Sequence, residues 1–151
     1  MNYRTIVSGA IIHPETGKVL IVKRTNTKKR GGKWELPGGK IEVLADGKLR
    51  ERHDDALFRE IKEETNLDAE KLLPQPVHDF EYVDGEYRRN FYVFLTRPTG
   101  KIRVKLNPEE HTKYAWVAKN ELTKYGLNLG FRNAIIKAFN AHKQMQKDFE
   151  V

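Results

Sequence analysis

The chain has no cysteine, and this absence excludes disulfide bonds and thiolate metal sites. It also lacks any apolar run approaching the roughly 20 residues that a membrane-spanning helix requires. Its first residues do not show the charged start and apolar core of a secretory signal peptide. We therefore expect a cytoplasmic protein that has no membrane partner.

The balance of charge favours an anionic partner. There are 28 lysines and arginines against 21 aspartates and glutamates, which gives a formal net charge of +7. A basic surface attracts nucleotides, nucleic acids or other polyanions, although a basic protein without such a partner has the same net charge. The length of 151 residues predicts one domain, residues 1–151, with room for a proper core.

Apolar runs and turn residues predict a mixture of strands and helices. The predicted strands cover residues 4–12, 19–22, 34–36, 77–83, 87–96, 101–106 and 114–117, and the predicted helices cover residues 54–65 and 130–147. The first two strands are expected to pair as a hairpin, and Pro37-Gly38-Gly39 is expected to turn the chain. Strands and helices alternate irregularly, which predicts an α/β fold with a mixed sheet flanked by helices.

Three glutamates crowd one face of the first predicted helix. Glu60, Glu63 and Glu64 are spaced by three and four residues, which brings them together on a helix. Carboxylates at this spacing repel one another, whereas a divalent cation with hard oxygen ligands binds them. The alternative is a solvated acidic face on which Arg59 pairs with Glu63. Together with the glycine-rich segment at 37–40, the acidic face favours metal-assisted chemistry on phosphate.

The sequence around this helix resembles the Nudix box. The box consists of Gly, five residues, Glu, seven residues, and then Arg-Glu-aliphatic-x-Glu-Glu-x-Gly-aliphatic. Here Gly39 and Glu51 precede an intact core at 59–64. Eleven residues separate Gly39 from Glu51, which places a six-residue insertion at 43–48. Asn66 replaces the last glycine, and asparagine is a mild replacement because it tolerates left-handed backbone.

The resemblance covers residues 4–140 and includes the lead-in segment 34–42 and the later segment 110–116. It implies a Nudix-type α/β/α sandwich around a mixed sheet. It also implies hydrolysis of a nucleoside diphosphate linked to another group, with Mg²⁺ or Mn²⁺ as the cofactor. The metal ligands that it implies are the Gly38 carbonyl and the carboxylates of Glu60, Glu63, Glu64 and Glu110.

The same resemblance implies catalytic roles. Arg59 is expected to orient a glutamate by a charge-assisted hydrogen bond. Glu60, Glu63 or Glu110 is expected to orient or deprotonate the attacking water. Glu109, which precedes Glu110, is the alternative acid in that segment.

Several basic residues are candidates for binding the substrate. Arg24 and Lys40 are expected to contact phosphate, with an ordinary surface position as the alternative for each. The basic loop that contains Lys28, Lys29, Arg30 and Lys33 is a candidate for polyphosphate or RNA, or else it is simply solvated.

Three further side chains have less specific expectations. Glu51 is expected to support the metal site or to act as an outer ligand, and Glu42 competes for that role. His111 is expected at the surface rather than in catalysis.

The function that these features favour is that of a MutT-like pyrophosphohydrolase. Such an enzyme acts on canonical or oxidised nucleoside triphosphates and releases a monophosphate and pyrophosphate. Hydrolysis of ADP-ribose, dinucleoside polyphosphates or capped RNA stays open, as does a nucleotide-binding sensor without turnover. A nucleic-acid-binding module that uses the loops 25–33 and 101–105 is a further alternative. The family resemblance also carries an expectation of a homodimer.

Overall fold

The computed structural model describes residues 2–28 and 31–149. Within these ranges the strands are β1 (Asn2–Ile11), β2 (Val19–Arg24), β3 (Trp34–Glu35), β4 (Gly38–Lys40), β5 (Asp68–Lys71), β6 (His78–Asp84), β7 (Tyr87–Thr99) and β8 (His111–Val117). The α-helices are α1 (His53–Thr65) and α2 (Leu129–Phe149), and a short 3-10 helix covers Lys119–Lys124. No helix in the described ranges is both long and apolar enough to cross a membrane.

The strands form two sheets. The larger sheet has the order β4-β1-β7-β5, and β6 also pairs with β7. It is mixed, because β1 and β7 run parallel while the other pairs are antiparallel. The smaller sheet has the order β3-β2-β8 and is antiparallel throughout.

Strand β1 lies inside the larger sheet, and its alternate side chains enter two separate cores. Ile6 and Ala10 belong to a core that includes the buried residues of α2. Val7 and Ile11 belong to a second core that includes the buried residues of α1. Because side chains alternate between the faces of a strand, the sheet lies between the two helices. The predicted α/β/α arrangement with a mixed sheet is therefore confirmed.

Helix α1 begins one residue before its predicted start and ends at the predicted residue. Leu57 and Ile61, which are four residues apart, are fully buried against the sheet. Asp54 and Asp55 lie in the first turn, where the helix dipole favours negative charge. Asn66 ends the helix with a φ of 66°, and its backbone N–H donates to the carbonyl of Lys62 at 2.9 Å.

The predicted hairpin between residues 4–12 and 19–22 is wrong, although both strands exist. The turn places Ile12 opposite Val19 in one isolated antiparallel bridge. Beyond this bridge the strands separate into different sheets. Strand β1 instead forms a long parallel ladder with β7, which satisfies far more backbone groups than the local pairing. The turn is thus local, whereas the strand partners are distant in sequence.

Two other expectations need correction, and two elements were not predicted. Gly38 and Gly39 do not form a turn but begin β4, which pairs with β1. Residues 101–106 form no strand, and there the Lys105 N–H donates to the Thr65 carbonyl at the end of α1, at 3.0 Å. Strand β5 and the 3-10 helix were not predicted, because their mostly polar sequences show no apolar period.

The left-handed residue that ends α1 provides a stability test. Among the described residues, Asn66 is the only non-glycine residue with a positive φ. We expect Asn66→Ala to lower the free energy of unfolding by roughly 1 kcal/mol, because left-handed backbone is unfavourable for alanine, whereas asparagine tolerates it. Asn66→Gly should be at least as stable as the wild type. Urea unfolding followed by circular dichroism measures both, and an alanine variant as stable as the glycine variant would contradict the prediction.

Candidate active site

A pocket of about 470 Å³ is lined by residues of both helices and of both sheets. Its volume falls within the range of about 300–1,000 Å³ that is typical of small-molecule sites. The predicted metal ligands and the two predicted phosphate contacts all line this pocket, namely Arg24, Gly38, Lys40, Glu60, Glu63, Glu64 and Glu110. Glu109, the alternative to Glu110, is not among the lining residues. Neither is Arg59, which contacts two of the lining glutamates.

Two consecutive glycines allow β4 to lie close to both β1 and α1. A Cβ atom on Gly38 would overlap the carbonyl oxygen of Val7, and a Cβ atom on Gly39 would overlap the carboxylate of Glu60. The backbone N–H of Gly38 donates to Oε1 of Glu64 at 3.0 Å. The glycines therefore bring the edge of the sheet into contact with the acidic face of α1.

Glu64 is the most deeply buried of the three helix glutamates, with 7% of its surface exposed. Burial raises the pKa of its carboxyl well above the ordinary value of 4.5, since the charged form loses its hydration. The hydrogen bond from Gly38 opposes this rise, while the negative charges of Glu35, Glu60 and Glu110 add to it. The pocket thus concentrates negative charge around a carboxylate that has little access to solvent.

Arg59 connects the acidic face of α1 to the segment that precedes the helix. Its Nε donates to one oxygen of Glu51 at 2.7 Å, and its Nη2 donates to the other at 2.6 Å. Its Nη1 donates to Glu60 at 2.9 Å and lies 3.3 Å from both carboxylate oxygens of Glu63. Such bidentate geometry fixes both partners. The geometry agrees with the orienting role predicted for Arg59, and the i, i+4 pair with Glu63 is also present.

Glu51, rather than Glu42, faces this arginine. The hydrogen bonds from Arg59 lower the pKa of the Glu51 carboxyl. Burial, by contrast, raises the pKa of Glu60 in spite of its contact with Arg59. Glu42 forms an exposed ion pair with Arg50 instead, at 2.7 Å. The structure therefore gives Glu51 a supporting position behind the pocket.

The carboxylates of the pocket are not arranged around one common ion position. Within residues 2–28 and 31–149, no three acidic or histidine side chains are grouped closely enough to hold one. Glu60 and Glu63 are instead engaged by Arg59. The pocket brings the predicted ligands to one place, and their assignment as metal ligands stays a prediction.

Cationic side chains lie beside the carboxylates. Lys40, Arg24 and Lys28 all line the pocket, and Nζ of Lys28 lies 3.2 Å from Oε1 of Glu110. Arg89 joins them from β7. Of the other members of the predicted basic loop, Lys33 is outside the pocket lining, and Lys29 and Arg30 lie outside the described residues.

Several polar residues that line the pocket were not predicted from sequence, namely Ser8, Glu35, Arg89 and Asn107. Glu35 lines the pocket from β3, and its Oε2 lies 3.0 Å from Nε2 of His111. His111 is only 1% exposed, so the expectation of a surface histidine is wrong. Its polar neighbours in sequence suggest exposure, but its ring points into the small sheet towards Glu35. Only the pairing of β2 with β3 and β8 reveals this contact.

Aromatic rings line one wall of the pocket. Phe91 and Phe131 contribute to the lining, and their ring centroids are 5.3 Å apart in an edge-to-face arrangement. Phe80 stacks on Phe91 with centroids 4.6 Å apart but does not line the pocket. Phe91 and Phe131 are each only 3% exposed, so they give the mostly charged pocket a small apolar part, and the combination suits a ligand that carries both a base and phosphate groups.

The chain thus combines an α/β/α sandwich with an acidic pocket that two consecutive glycines border. The NUDIX domain family matches residues 3–139, and the chain therefore belongs to the Nudix family of pyrophosphohydrolases. The nucleoside triphosphatase NudI of Escherichia coli O17:K52:H18 is 32% identical over 148 residues, covering 89% of this chain and 96% of that protein.

Solved structures agree with this assignment. A MutT protein from Methanosarcina mazei Go1 superimposes with a TM-score of 0.76 and 25% identity, covering 94% of this chain and 96% of that one. A MutT NUDIX hydrolase from Burkholderia pseudomallei gives a TM-score of 0.73 and 26% identity, covering 91% and 98%. A C. elegans Ap4A hydrolase, 18% identical with a TM-score of 0.76 over 94% and 98%, shares the fold.

The two glycines of β4 should respond differently to alanine. Gly38→Ala meets rigid backbone, so we expect it to lower the free energy of unfolding by about 1–3 kcal/mol. Gly39→Ala meets the end of a flexible glutamate side chain, so the fold should persist while Glu60 is displaced and hydrolysis falls by about 10- to 100-fold. Urea unfolding and initial rates separate the two effects. Gly126→Ala, which faces open space, is the control, and equal behaviour of all three variants would contradict the prediction.

Burial of Glu64 predicts a pH-dependent stability in the absence of divalent cations. A carboxyl whose pKa is raised by folding contributes stability that is complete below the unfolded value near 4.5 and is lost as the pH rises through the folded pKa. Glu64→Gln cannot ionise and still accepts the hydrogen bond from Gly38. It should therefore be more stable than the wild type at neutral pH in EDTA, with an advantage that shrinks as the pH falls towards 4.5.

Thermal unfolding is measured from pH 4.5, the pKa of the carboxyl in the unfolded chain, up to mildly alkaline pH. It gives the difference in stability between Glu64→Gln and the wild type. Glu63→Gln is the matched control, because the Glu63 side chain is 56% exposed on the same helix and loses little hydration on folding. A Glu64→Gln variant that is less stable than the wild type under mildly alkaline conditions would show that the buried carboxylate is not destabilising.

Proposed function

We propose that this Nudix hydrolase is a MutT-like pyrophosphohydrolase that cleaves canonical or oxidised nucleoside triphosphates to monophosphates and pyrophosphate. The observation that supports the proposal is the convergence of Glu60, Glu63, Glu64 and Glu110 with Arg24 and Lys40 on one pocket. Carboxylates for a divalent cation and cations for phosphate are the two requirements of phosphoanhydride hydrolysis. A relative that is named a nucleoside triphosphatase gives independent support.

The donor set suits magnesium or manganese. The candidate ligands are oxygen atoms only, from the predicted carboxylates and the Gly38 carbonyl, and hard divalent cations prefer such atoms. Glu64 is buried among like charges that a cation would neutralise. A bound ion would neutralise the phosphates and lower the pKa of a coordinated water.

The protein side chains would then perform the remaining tasks. Arg24 and Lys40 would hold the phosphate chain and balance the charge that develops on the departing pyrophosphate. Glu110, from the loop before β8, would accept the proton of the attacking water at a carboxylate oxygen. In the net reaction, water forms one bond to phosphorus while one bridging P–O bond breaks, which gives a monophosphate, pyrophosphate and a proton. Arg59 would keep Glu60 and Glu63 directed towards the reacting groups.

The aromatic wall would accommodate the base. Phe91 and Phe131 line the same pocket as the charged residues, so a nucleotide could place its base against the rings and its phosphates against the cations. Because each ring is only 3% exposed, it would offer a base a small apolar contact that does not distinguish one base from another. The proposal therefore covers nucleoside triphosphates as a class.

Product analysis across a nucleotide panel tests the proposal. The panel contains the dNTPs, 8-oxo-dGTP, ADP-ribose, NADH, diadenosine polyphosphates and capped RNA, each with and without magnesium. We expect magnesium-dependent release of pyrophosphate from a triphosphate. Glu64→Gln should lower kcat by orders of magnitude while remaining folded, because it removes a charged ligand from the acidic face. Asp148→Asn, near the end of α2 and outside the pocket lining, is the matched acidic substitution and should leave kcat unchanged.

Other products would identify other functions. Two monophosphates from ADP-ribose, or ATP from a dinucleotide, would move the activity to another Nudix substrate class. Affinity for a nucleotide without product would indicate a sensor. Magnesium-independent affinity for RNA that falls steeply with salt would indicate a nucleic-acid-binding module. Near-normal turnover by purified Glu64→Gln would falsify the role of the acidic face.

A further inference from the structure

Three side chains of the small sheet meet at the end of the pocket where Arg24 lies. Arg24 ends β2, Glu35 ends β3 and His111 begins β8. Arg24 lies opposite His111 in the β2–β8 ladder, and the neighbouring ladder pairs Val22 with Glu35. Three chain segments that are far apart in sequence therefore place their side chains together.

A single carboxylate oxygen holds this group together. Oε2 of Glu35 lies 3.0 Å from Nε2 of His111 and accepts a hydrogen bond from Nη1 of Arg24 at 3.2 Å. A carboxylate paired with a guanidinium is an acceptor, so the contact places a proton on Nε2 of His111. The orientation of Glu35 is thus fixed from two sides.

Burial increases steadily from the pocket towards the histidine. The exposed fraction of the side chain is 18% for Arg24, 12% for Glu35 and zero for His111. Arg24 and Glu35 line the pocket, whereas His111 does not. The side chain of His111 therefore reaches the pocket through Glu35, while its backbone N–H donates to the carbonyl of Asn107, another lining residue, at 2.9 Å.

Packing alone does not account for a histidine at this position. A fully buried site on a strand is filled more favourably by an apolar side chain, since a buried imidazole must give up its hydration. For His111, the hydrogen bond to Glu35 is the contact that offsets this loss of hydration. Local departures of this kind from the apolar core tend to coincide with functional sites.

We propose that His111 is a positioning residue for hydrolysis, which holds Glu35 and, through Glu35, fixes the guanidinium of Arg24 at the phosphate end of the pocket. This inference rests on the proposed function, because it assigns the Arg24 end to phosphate. Without the histidine, the Glu35 carboxylate would lose one of the two contacts that orient it, and it would hold the guanidinium of Arg24 less firmly.

A double-mutant cycle between His111 and Glu35 tests this role. The variants are His111→Leu, which keeps the buried volume without a donor, His111→Gln, whose amide offers a donor again, and Glu35→Gln, alone and combined with His111→Leu. His142→Leu, on α2 and outside the pocket lining, is the control for loss of a histidine. Steady-state kcat and KM are measured for the best triphosphate, with thermal unfolding for each variant.

We expect His111→Leu to lower kcat/KM by about 10- to 100-fold with a wild-type unfolding temperature, and His111→Gln to recover most of the loss. In the Glu35→Gln background, His111→Leu should change kcat/KM by less than about threefold, because the two residues act as one unit. An equal loss in both backgrounds, or no loss from His111→Leu alone, would overturn the proposal.

A second readout separates this inference from the function on which it rests. The same variants are titrated calorimetrically with inorganic pyrophosphate in the presence of magnesium. If no triphosphate is hydrolysed, the proposed function fails, while the cycle in pyrophosphate affinity still decides the role of His111. A non-additive loss of affinity supports positioning, and additive losses or the absence of any pyrophosphate binding by the wild type contradict it.

Discussion

The site depends on the absence of side chains at two consecutive positions of an edge strand. Because Gly38 and Gly39 carry no Cβ, β4 lies against β1 and against the acidic face of α1 at the same time. The Gly38 N–H then reaches Glu64, and the Glu60 carboxylate lies directly against Gly39. A side chain at position 38 would push β4 away from β1, and one at position 39 would displace the Glu60 carboxylate, so the acidic wall of the pocket would change.

This close approach has an electrostatic consequence. It buries the Glu64 carboxyl, which loses its hydration, and the negative charges of Glu35, Glu60 and Glu110 add to this cost, so the ionised form of Glu64 opposes folding of the metal-free protein. Arg59 relieves part of this repulsion by engaging two carboxylates of the helix, and Glu51 holds the arginine in turn. The carboxylates therefore stay close together, and only part of their repulsion is offset. A surface that is costly without a cation is well suited to bind one, since a ligand that binds only the folded state stabilises that state.

The sequence predicts the parts of the site that depend on local spacing. The helix, its three glutamates and the conformation of Asn66 follow from residues within a few turns of one another, and the structure agrees. The pairing of β1 with β7 and the contact between His111 and Glu35 join residues that are 76 or more positions apart in sequence, and no local pattern contains them. The predicted hairpin failed for the same reason, because a local turn says nothing about which strand each arm joins.

The insertion at 43–48 shows why a lengthened Nudix box can keep its geometry. The two ends of the inserted loop are held to each other by the Arg50 N–H, which donates to the Glu42 carbonyl at 2.8 Å, and by an exposed ion pair between the same residues, while the contact of Glu51 with Arg59 ties the second end to α1. Between them, Val43 and Leu49 form a bridge that closes the loop on itself. Doubling the length of a loop costs only about 0.6 kcal/mol in closure entropy. The spacing that matters is therefore not the number of residues between Gly39 and Glu51, but the positions of the two anchored ends.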